Sequence, residues 1–394
     1  MKTTRLLLIP HGRVTDLTKD SKGTQESGSN VLSESTSPDT EGEGNLLTIK
    51  ERLAMLDVAF PMDEAVIEAL PKGSTFLSVE HFGTSAWTIT GRVVAQNVNR
   101  IESNYFLKRR VRIIQNHLEP HERLSPKPYA FGKYKVPSPP TYFYLSDFVD
   151  MDVTTPPDPA EFTKRLARLH KLSESPTGKF GFAVQTCDGQ VAHTVDWQEN
   201  WAVFYRNLLL GVCKKDLETN GPWPEMERAT EQVANVIIPR LLGPLQESGK
   251  TLKPCIIHGD LWEGNTGINV ETGDSILFDV GSYFAHNEME LGHWRCEFSS
   301  VFRSKAYTRD YLRNYPAAEP VEEFDDRNRL YSLKGAINYS AGHSGSPLRR
   351  SAYNNMCYLI EKYAPIDGID RYDPDIDPSV TGARIIPHLG EGLI

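Results

Sequence analysis

Cysteine is scarce and scattered. The chain has five, Cys187, Cys213, Cys255, Cys296 and Cys357, an odd number with no closely spaced pair. That excludes a disulfide framework, offers no thiolate zinc site and fits a reducing compartment. Long apolar runs are also missing. No stretch approaches the roughly 18 apolar residues that a bilayer crossing requires. Near the start, Lys2 and Arg5 precede a short apolar run at residues 6–9, which stops at Pro10, well short of a signal-peptide core. The expectation is a cytoplasmic chain without a membrane partner. Excess basic charge is absent too: 43 Lys and Arg stand against 52 Asp and Glu, for a net charge of -9. Sequence-independent nucleic-acid binding needs a basic face to neutralise phosphates, so no nucleic-acid partner is expected. Residues 11–45 carry almost no large apolar side chains. Such a segment cannot offset its ordering entropy, and residues 1–45 are expected to be disordered.

What remains is ordinary globular sequence, 39% hydrophobic and 24% charged. At 394 residues the chain exceeds the usual single-core size, so two lobes are expected. Its centre of gravity is Ile256-Ile257-His258-Gly259-Asp260-Leu261-Trp262-Glu263-Gly264-Asn265, followed by Ser275-Ile276-Leu277-Phe278-Asp279-Val280-Gly281. An Asp, an Asn five positions later and a second Asp on a short apolar strand form the pattern of kinase-type phosphoryl transfer. That reaction asks the protein to position a hydroxyl and to neutralise charge on the transferred phosphoryl oxygens, largely through Mg2+. Asp260 would accept the hydroxyl proton. Asn265 and Asp279 would be the metal ligands, with ATP as the phosphoryl donor. A lone His-x-Asp is common in loops, where the Asp caps a turn; the three residues as a set carry the catalytic reading.

Ahead of this block the pattern is strand-rich. Residues 76–79 and 87–94 form a hairpin whose connection holds Gly83, Thr84, Ser85 and Ala86. Small residues there suit a turn that covers nucleotide phosphates with backbone N–H groups, although a plain hairpin loop looks the same. Tyr105-Phe106-Leu107-Lys108 is the next strand. Lys108 either holds the α and β phosphates or is one charge in a basic run with Arg109, Arg110 and Arg112. Residues 129–134 and 142–148 are two further strands, and the backbone at Asp147, Phe148 and Val149 would meet adenine. The N-lobe is expected over 46–150.

The C-lobe, 151–363, is expected to be helical. Helices are predicted at 160–172, where Phe162, Leu166, Leu169 and His170 share a face, and at 196–210, 226–242, 288–298, 302–315, 327–341 and 348–363. His170 is expected at the edge of the core. From 364 the chain loses periodicity, and an irregular tail over 364–394 is expected. Trp262 offers an apolar face to a sugar. His286 and Glu288 are polar groups placed near the acceptor, Glu288 alternatively serving as a helix cap.

The run His258-Gly259-Asp260-Leu261-Trp262, with Phe278-Asp279 and Tyr283-Phe284-Ala285-His286-Asn287-Glu288, resembles the fructosamine (ketosamine) 3-kinase family, and within it the fungal branch. The chain departs from that branch at Val280, Gly281, Ser282 and Met289. Further likeness lies in Leu166-Ala167-Arg168-Leu169-His170, in residues 175–182 and in residues 236–245, and the strand ending at Lys108 favours its phosphate-binding role. The resemblance implies an α+β, bilobal protein-kinase-like fold with a small β-rich N-lobe and a larger, mostly helical C-lobe. It implies ATP and Mg2+ as cofactors, and phosphorylation of the 3-hydroxyl of ribulosamine or fructosamine on glycated amines or glycated proteins, which is deglycation. Thr84 stands where animal and plant members carry a bridging cysteine, so a monomer is expected.

In one respect the sequence departs further. Only 17 residues, 109–125, separate Lys108 from the next block, and no acid that could pair with the lysine precedes Glu119 and Glu122. Two alternatives therefore stand beside the ketosamine kinase: an aminoglycoside-phosphotransferase-like kinase of another amino sugar or alcohol, and a catalytically weakened nucleotide-binding pseudokinase.

Overall fold

The computed structural model describes residues 60, 62–83, 85, 88–110, 124–136 and 139–381. The expected disorder of 1–45, the segment 46–59 and the candidate glutamates Glu119 and Glu122 lie outside the described residues.

The first lobe is an antiparallel sheet of β1 (Thr75–His81), β2 (Ile89–Gln96), β3 (Glu102–Arg110), β4 (Pro128–Lys133) and β5 (Tyr142–Asp147), in the order β1-β2-β3-β5-β4. Strand periodicity decides what each face does. On β3, Tyr105 and Leu107 are buried beside Val93, Ala95, Phe143 and Leu145. Lys108 is then turned to the opposite face. A one-turn helix, α1 (Glu64–Glu68), packs into the same core through Val66. Its cap, Asp63, accepts N–H bonds from Ala65 and Lys135, both at 2.9 Å, which ties the helix to the β4–β5 hairpin.

The second lobe is mostly helical. It holds α2 (Pro159–Leu172), α3 (Trp201–Asn220), α4 (Pro224–Gln232), α5 (Ile238–Leu242), α6 (Lys305–Asn314), α7 (Phe324–Gly342), α8 (Leu348–Tyr363) and α9 (Pro378–Thr381). A π-helical turn, Val233–Ile237, joins α4 to α5. Short strands carry the functional loops: β6 (Met151–Asp152), β7 (Cys187–Asp188), β8 (Val191–Ala192), β9 (Cys255–Ile257), β10 (Thr266–Asn269), β11 (Ser275–Leu277) and β12 (Tyr283–Ala285). They pair as β11-β10-β6, β12-β9 and β7-β8. The chain passes between lobes at 148–150, where β5 gives way to β6. No helix among the described residues is long and apolar enough to cross a membrane.

Three expectations are corrected. α3 begins at Trp201 rather than at 196, because Gln198 bridges Phe180 in extended conformation and Asn200 caps the helix by accepting from Val203 N–H at 3.0 Å. The helix expected over 288–298 is the 3-10 segment Asn287–Arg295, whose residues are buried through Trp294. Buried on every side, it has no solvent face to give helical periodicity. Within the tail, a 3-10 turn at Pro374–Ile376 and α9 interrupt the irregular chain, and Asp377 is buried, 2.6 Å from Arg329 Nη1 on α7 and 2.7 Å from Tyr372 Oη.

Candidate active site

The loop that holds Asp260 follows β9, a fully buried strand that pairs with β12. At its head Gly259 has φ 80°, and a Cβ there would fall 2.5 Å from the Gly281 carbonyl oxygen. Only glycine fits so close a crossing of two backbones. His258 clips the crossing. Its Nε2–H donates to the Phe278 carbonyl at 2.9 Å, its Nδ1 accepts from Asp260 N–H at 3.3 Å, and its own carbonyl accepts from Gly281 N–H at 2.9 Å. Those roles require a neutral imidazole, and burial pushes its pKa down accordingly. Beneath the loop Glu290 accepts the N–H groups of His258 at 2.5 Å and Gly259 at 3.1 Å, with His170 Nε2 3.5 Å away. Burial raises the Glu290 carboxyl, but His170 and the His258 amide outweigh it and hold the pKa below the ordinary value.

The 3-10 turn Glu263–Asn265 folds the loop back on itself. Asn265 Nδ2 then donates to the Asp260 carbonyl at 2.8 Å and to Asp260 Oδ2 at 3.0 Å. The Asn265 carbonyl accepts from Phe278 N–H at 3.1 Å, which sets β11 and the following Asp279 beside it. Asp279 has φ 57°, a left-handed conformation uncommon outside glycine, and its Oδ1 pairs with Lys108 Nζ from the other lobe. Asp260, Asn265, Asp279 and Lys108 thus come together from a loop, a turn, the bend that follows β11 and one strand, β3; Asp279 lies two residues past the strand on which the sequence placed it. Asp260 has its pKa raised well above the ordinary range, by burial first and the Asp188 charge second, against the pull of Lys334 and Asn265.

Of the small-residue turn, Gly83 and Ser85 are described and Thr84 and Ala86 are not. Gly83 takes φ 73°, and Ser85 Oγ accepts from Thr88 Oγ1–H at 2.7 Å. At the crossing between lobes, the Asp147 and Phe148 N–H groups donate to the Lys127 and Asn104 carbonyls at 2.9 and 3.3 Å. Among the described residues, the Val149 backbone makes no such bond. Trp262 is half-buried, its ring lying over Gly264 and meeting Phe298 edge-on at 6.3 Å.

Two sequence-based assignments are corrected. His286 is 1% exposed, its Nδ1 3.0 Å from Tyr331 Oη within the helical core. Glu288 is fully buried in a two-pronged pair with Arg327, at 2.8 and 3.0 Å, and accepts Ala318 N–H at 2.7 Å. Neither can touch an acceptor, and Glu288 does not serve as a helix cap, since its carboxylate is taken up by Arg327 and Ala318. Conversely, four residues near Asp260 went unmarked in the sequence: Glu290, Asp188, His293 and Lys334. Asp188-Gly189 is a recognisable turn signal, but nothing in its spacing ties it to residues more than a hundred positions away.

A five-stranded sheet hinged to a helical lobe, with Lys108 on β3 and Asp260, Asn265 and Asp279 below it, defines a protein-kinase-like fold. The sequence profile described as fructosamine kinase matches residues 97–358. That is more than half of the chain, and the chain belongs to the fructosamine kinase family. It is 29% identical over 235 residues to the chloroplastic protein-ribulosamine 3-kinase of Oryza sativa subsp. indica, covering 58% of this chain and 62% of that one. It is 31% identical over 191 residues to the ketosamine-3-kinase of Mus musculus, covering 45% and 53%. The match therefore spans less than two thirds of these relatives. Among solved structures, a candidate fructosamine-3-kinase of Thermobifida fusca superposes with a TM-score of 0.55 at 19% identity, over 76% of this chain and 98% of that one. Another, from Haemophilus somnus, gives 0.51 at 17%, over 75% and 96%. These two similarities show the fold.

Proposed function

We propose that this chain is an ATP-dependent kinase that phosphorylates the 3-hydroxyl of ribulosamine or fructosamine adducts on small amines and proteins, acting in the cytoplasm as a monomer. The observation that carries the reading is the grip of Asn265 on Asp260. One amide group bonds both the backbone and the carboxylate of the base, so Asp260 Oδ1 remains to align an acceptor hydroxyl and take its proton.

The donor set fits Mg2+. Asn265 gives its N–H groups to Asp260, which leaves its Oδ1 for a cation, and Asp279 adds a carboxylate; both are the hard oxygen ligands that magnesium prefers. When bound, the ion neutralises charge on the nucleotide phosphates. Lys108 adds a second positive charge for the phosphates and is held in the cleft by Asp279. Gly83 and Ser85 offer backbone to the phosphate end, and Val149 offers backbone to adenine. Trp262, beside the base, presents an apolar ring to a sugar face. Among the described residues the partner of Lys108 is Asp279, so the reading does not depend on Glu119 or Glu122.

The test is ADP release with Mg2+ and four acceptors: a ribulosamine, a fructosamine, an aminoglycoside and a simple alcohol, with the product located by phosphorus NMR. Turnover of the ketosamines with a phosphate on the third oxygen is expected. Turnover confined to the aminoglycoside, or ATP binding without transfer to any acceptor, would contradict it.

A further inference from the structure

Beside the base stands a second carboxylate that the phosphoryl chemistry does not use. Asp188 closes β7, and Asn338 Nδ2 donates to its carbonyl at 3.3 Å, which fixes the strand end against α7. Its Oδ2 accepts from Lys334 Nζ at 2.9 Å and lies 3.4 Å from His293 Nε2. Lys334 Nζ donates as well to the Gly259 carbonyl at 3.1 Å, one residue before the base. His293 Nε2 is 3.8 Å from Asp260 Oδ1, and one ligand atom each of Asp188, Asp260 and His293 falls within a 4.8 Å span.

Exposure sorts this cluster into a front and a back. The side chains of Lys334 and His293 are 0% and 2% exposed, whereas those of Asp188 and Asp260 keep 14% and 19%. Both contacts to Asp188 go to Oδ2, and Oδ1 takes part in neither. Lys334 therefore anchors Asp188 from the buried side, and the two carboxylates are the partly exposed members of the cluster. Charge adds a second constraint. Lys108 accounts for Asp279. Burial lowers the His293 pKa, which leaves its imidazole neutral. The acceptor side of the site then carries the Asp188 carboxylate, whose Oδ1 is bound by neither Lys334 nor His293. A bound group with a positive charge would complete it, and a bond from a cationic N–H to a carboxylate is about twice as strong as one from a neutral hydroxyl.

We propose that Asp188 determines acceptor specificity, its Oδ1 receiving an N–H of a cationic amine that lies within a few bonds of the hydroxyl engaged by Asp260. The proposal deepens the kinase reading and rests on it. It assigns the preference for aminodeoxyketoses over plain ketoses to a residue outside the catalytic loop.

The experiment compares a 1-alkylamino-1-deoxyketose with its 1-alkoxy analogue as acceptors. Asp188→Asn alone strands a buried ammonium, so the informative protein is Asp188→Asn/Lys334→Met, which removes both charges together. The unmodified chain is expected to favour the amine by about 10- to 100-fold in kcat/KM. In the double variant that ratio should fall to within about threefold of unity, the loss appearing in KM for the amine. A double variant that keeps the preference would show that Asp188 serves only to neutralise Lys334, and would overturn the proposal. If the unmodified chain turns over neither compound, the kinase reading fails on its own. Equilibrium binding of the two compounds to both proteins then decides the role of Asp188: preference lost with the charges sustains it, preference kept overturns it.

Discussion

At the scale of single residues, the site depends on a few groups placed with little tolerance. Gly259 crosses under Gly281 with its φ in the left-handed region. Gly259→Ala combines a Cβ contact inside van der Waals distance with a conformational cost of roughly 1–2 kcal/mol. Loss of activity and a lower melting temperature are expected, and a variant with full activity would show that the loop can be rebuilt. Among the described residues, Lys108 is the side chain that the first lobe brings to the proposed metal and base groups. Lys108→Met should raise KM for ATP by about tenfold or more, from one lost charge-assisted contact. An unchanged KM would return Lys108 to the basic run that follows it. The sequence made Lys108 legible because alternation along β3 buries Tyr105 and Leu107 and sends the lysine to the other face. It did not make Asp188 legible, because its partner Lys334 lies on a helix whose faces are nearly all buried, where a charged residue breaks no visible pattern.

At the scale of elements, the acidic segment after β12 shows where pattern reading fails. Glu288 and Glu290 are two positions apart in one short run, and only Glu288 drew notice. The 3-10 geometry of Asn287–Arg295 turns them to different neighbours: Glu288 meets Arg327, and Glu290 meets the backbone of the catalytic loop. The two acids should part company when neutralised. Glu288→Gln leaves a buried guanidinium without its carboxylate and should cost about 3–5 kcal/mol in urea unfolding. Its folded molecules should keep their specific activity. Glu290→Gln loosens the loop beneath Asp260 and should lower kcat at saturating ATP. Equal effects of both substitutions on kcat would refute this division. Elsewhere the elements were legible wherever an amphipathic period ran long enough. The bounds of α8 are those the sequence predicts, 348–363. The onset of α3 was not, since a bridge to Phe180 and a cap at Asn200, both set by tertiary contacts, override the apolar period at 196–199.

At the scale of the whole molecule, the helical lobe is built around histidines kept neutral by burial, among them His193, His258, His286 and His293. For His286 the pKa falls from 6.5 to about 4. Between those values the unfolded chain binds a proton that the native state does not, so stability is complete above pH 6.5 and declines as pH falls towards 4. His286 alone should account for about 2 kcal/mol of lost stability at pH 5. Urea unfolding at pH 7 and pH 5 should show that loss, and His286→Asn should reduce the pH dependence by the same amount; an unchanged slope would mean that His286 is charged in the core. Such a residue stabilises the lobe without touching an acceptor, which is why its place next to a functional motif misled sequence reasoning.

The account rests on Asp260 as the group that takes the acceptor proton while other residues hold the nucleotide. The most direct test is Asp260→Asn, measured for ketosamine-dependent ADP release and, on the same preparation, for Mg–ATP binding by calorimetry. The account predicts turnover lower by about 10²- to 10⁴-fold with nucleotide affinity within about threefold of the unmodified chain. Turnover near the unmodified rate would contradict it.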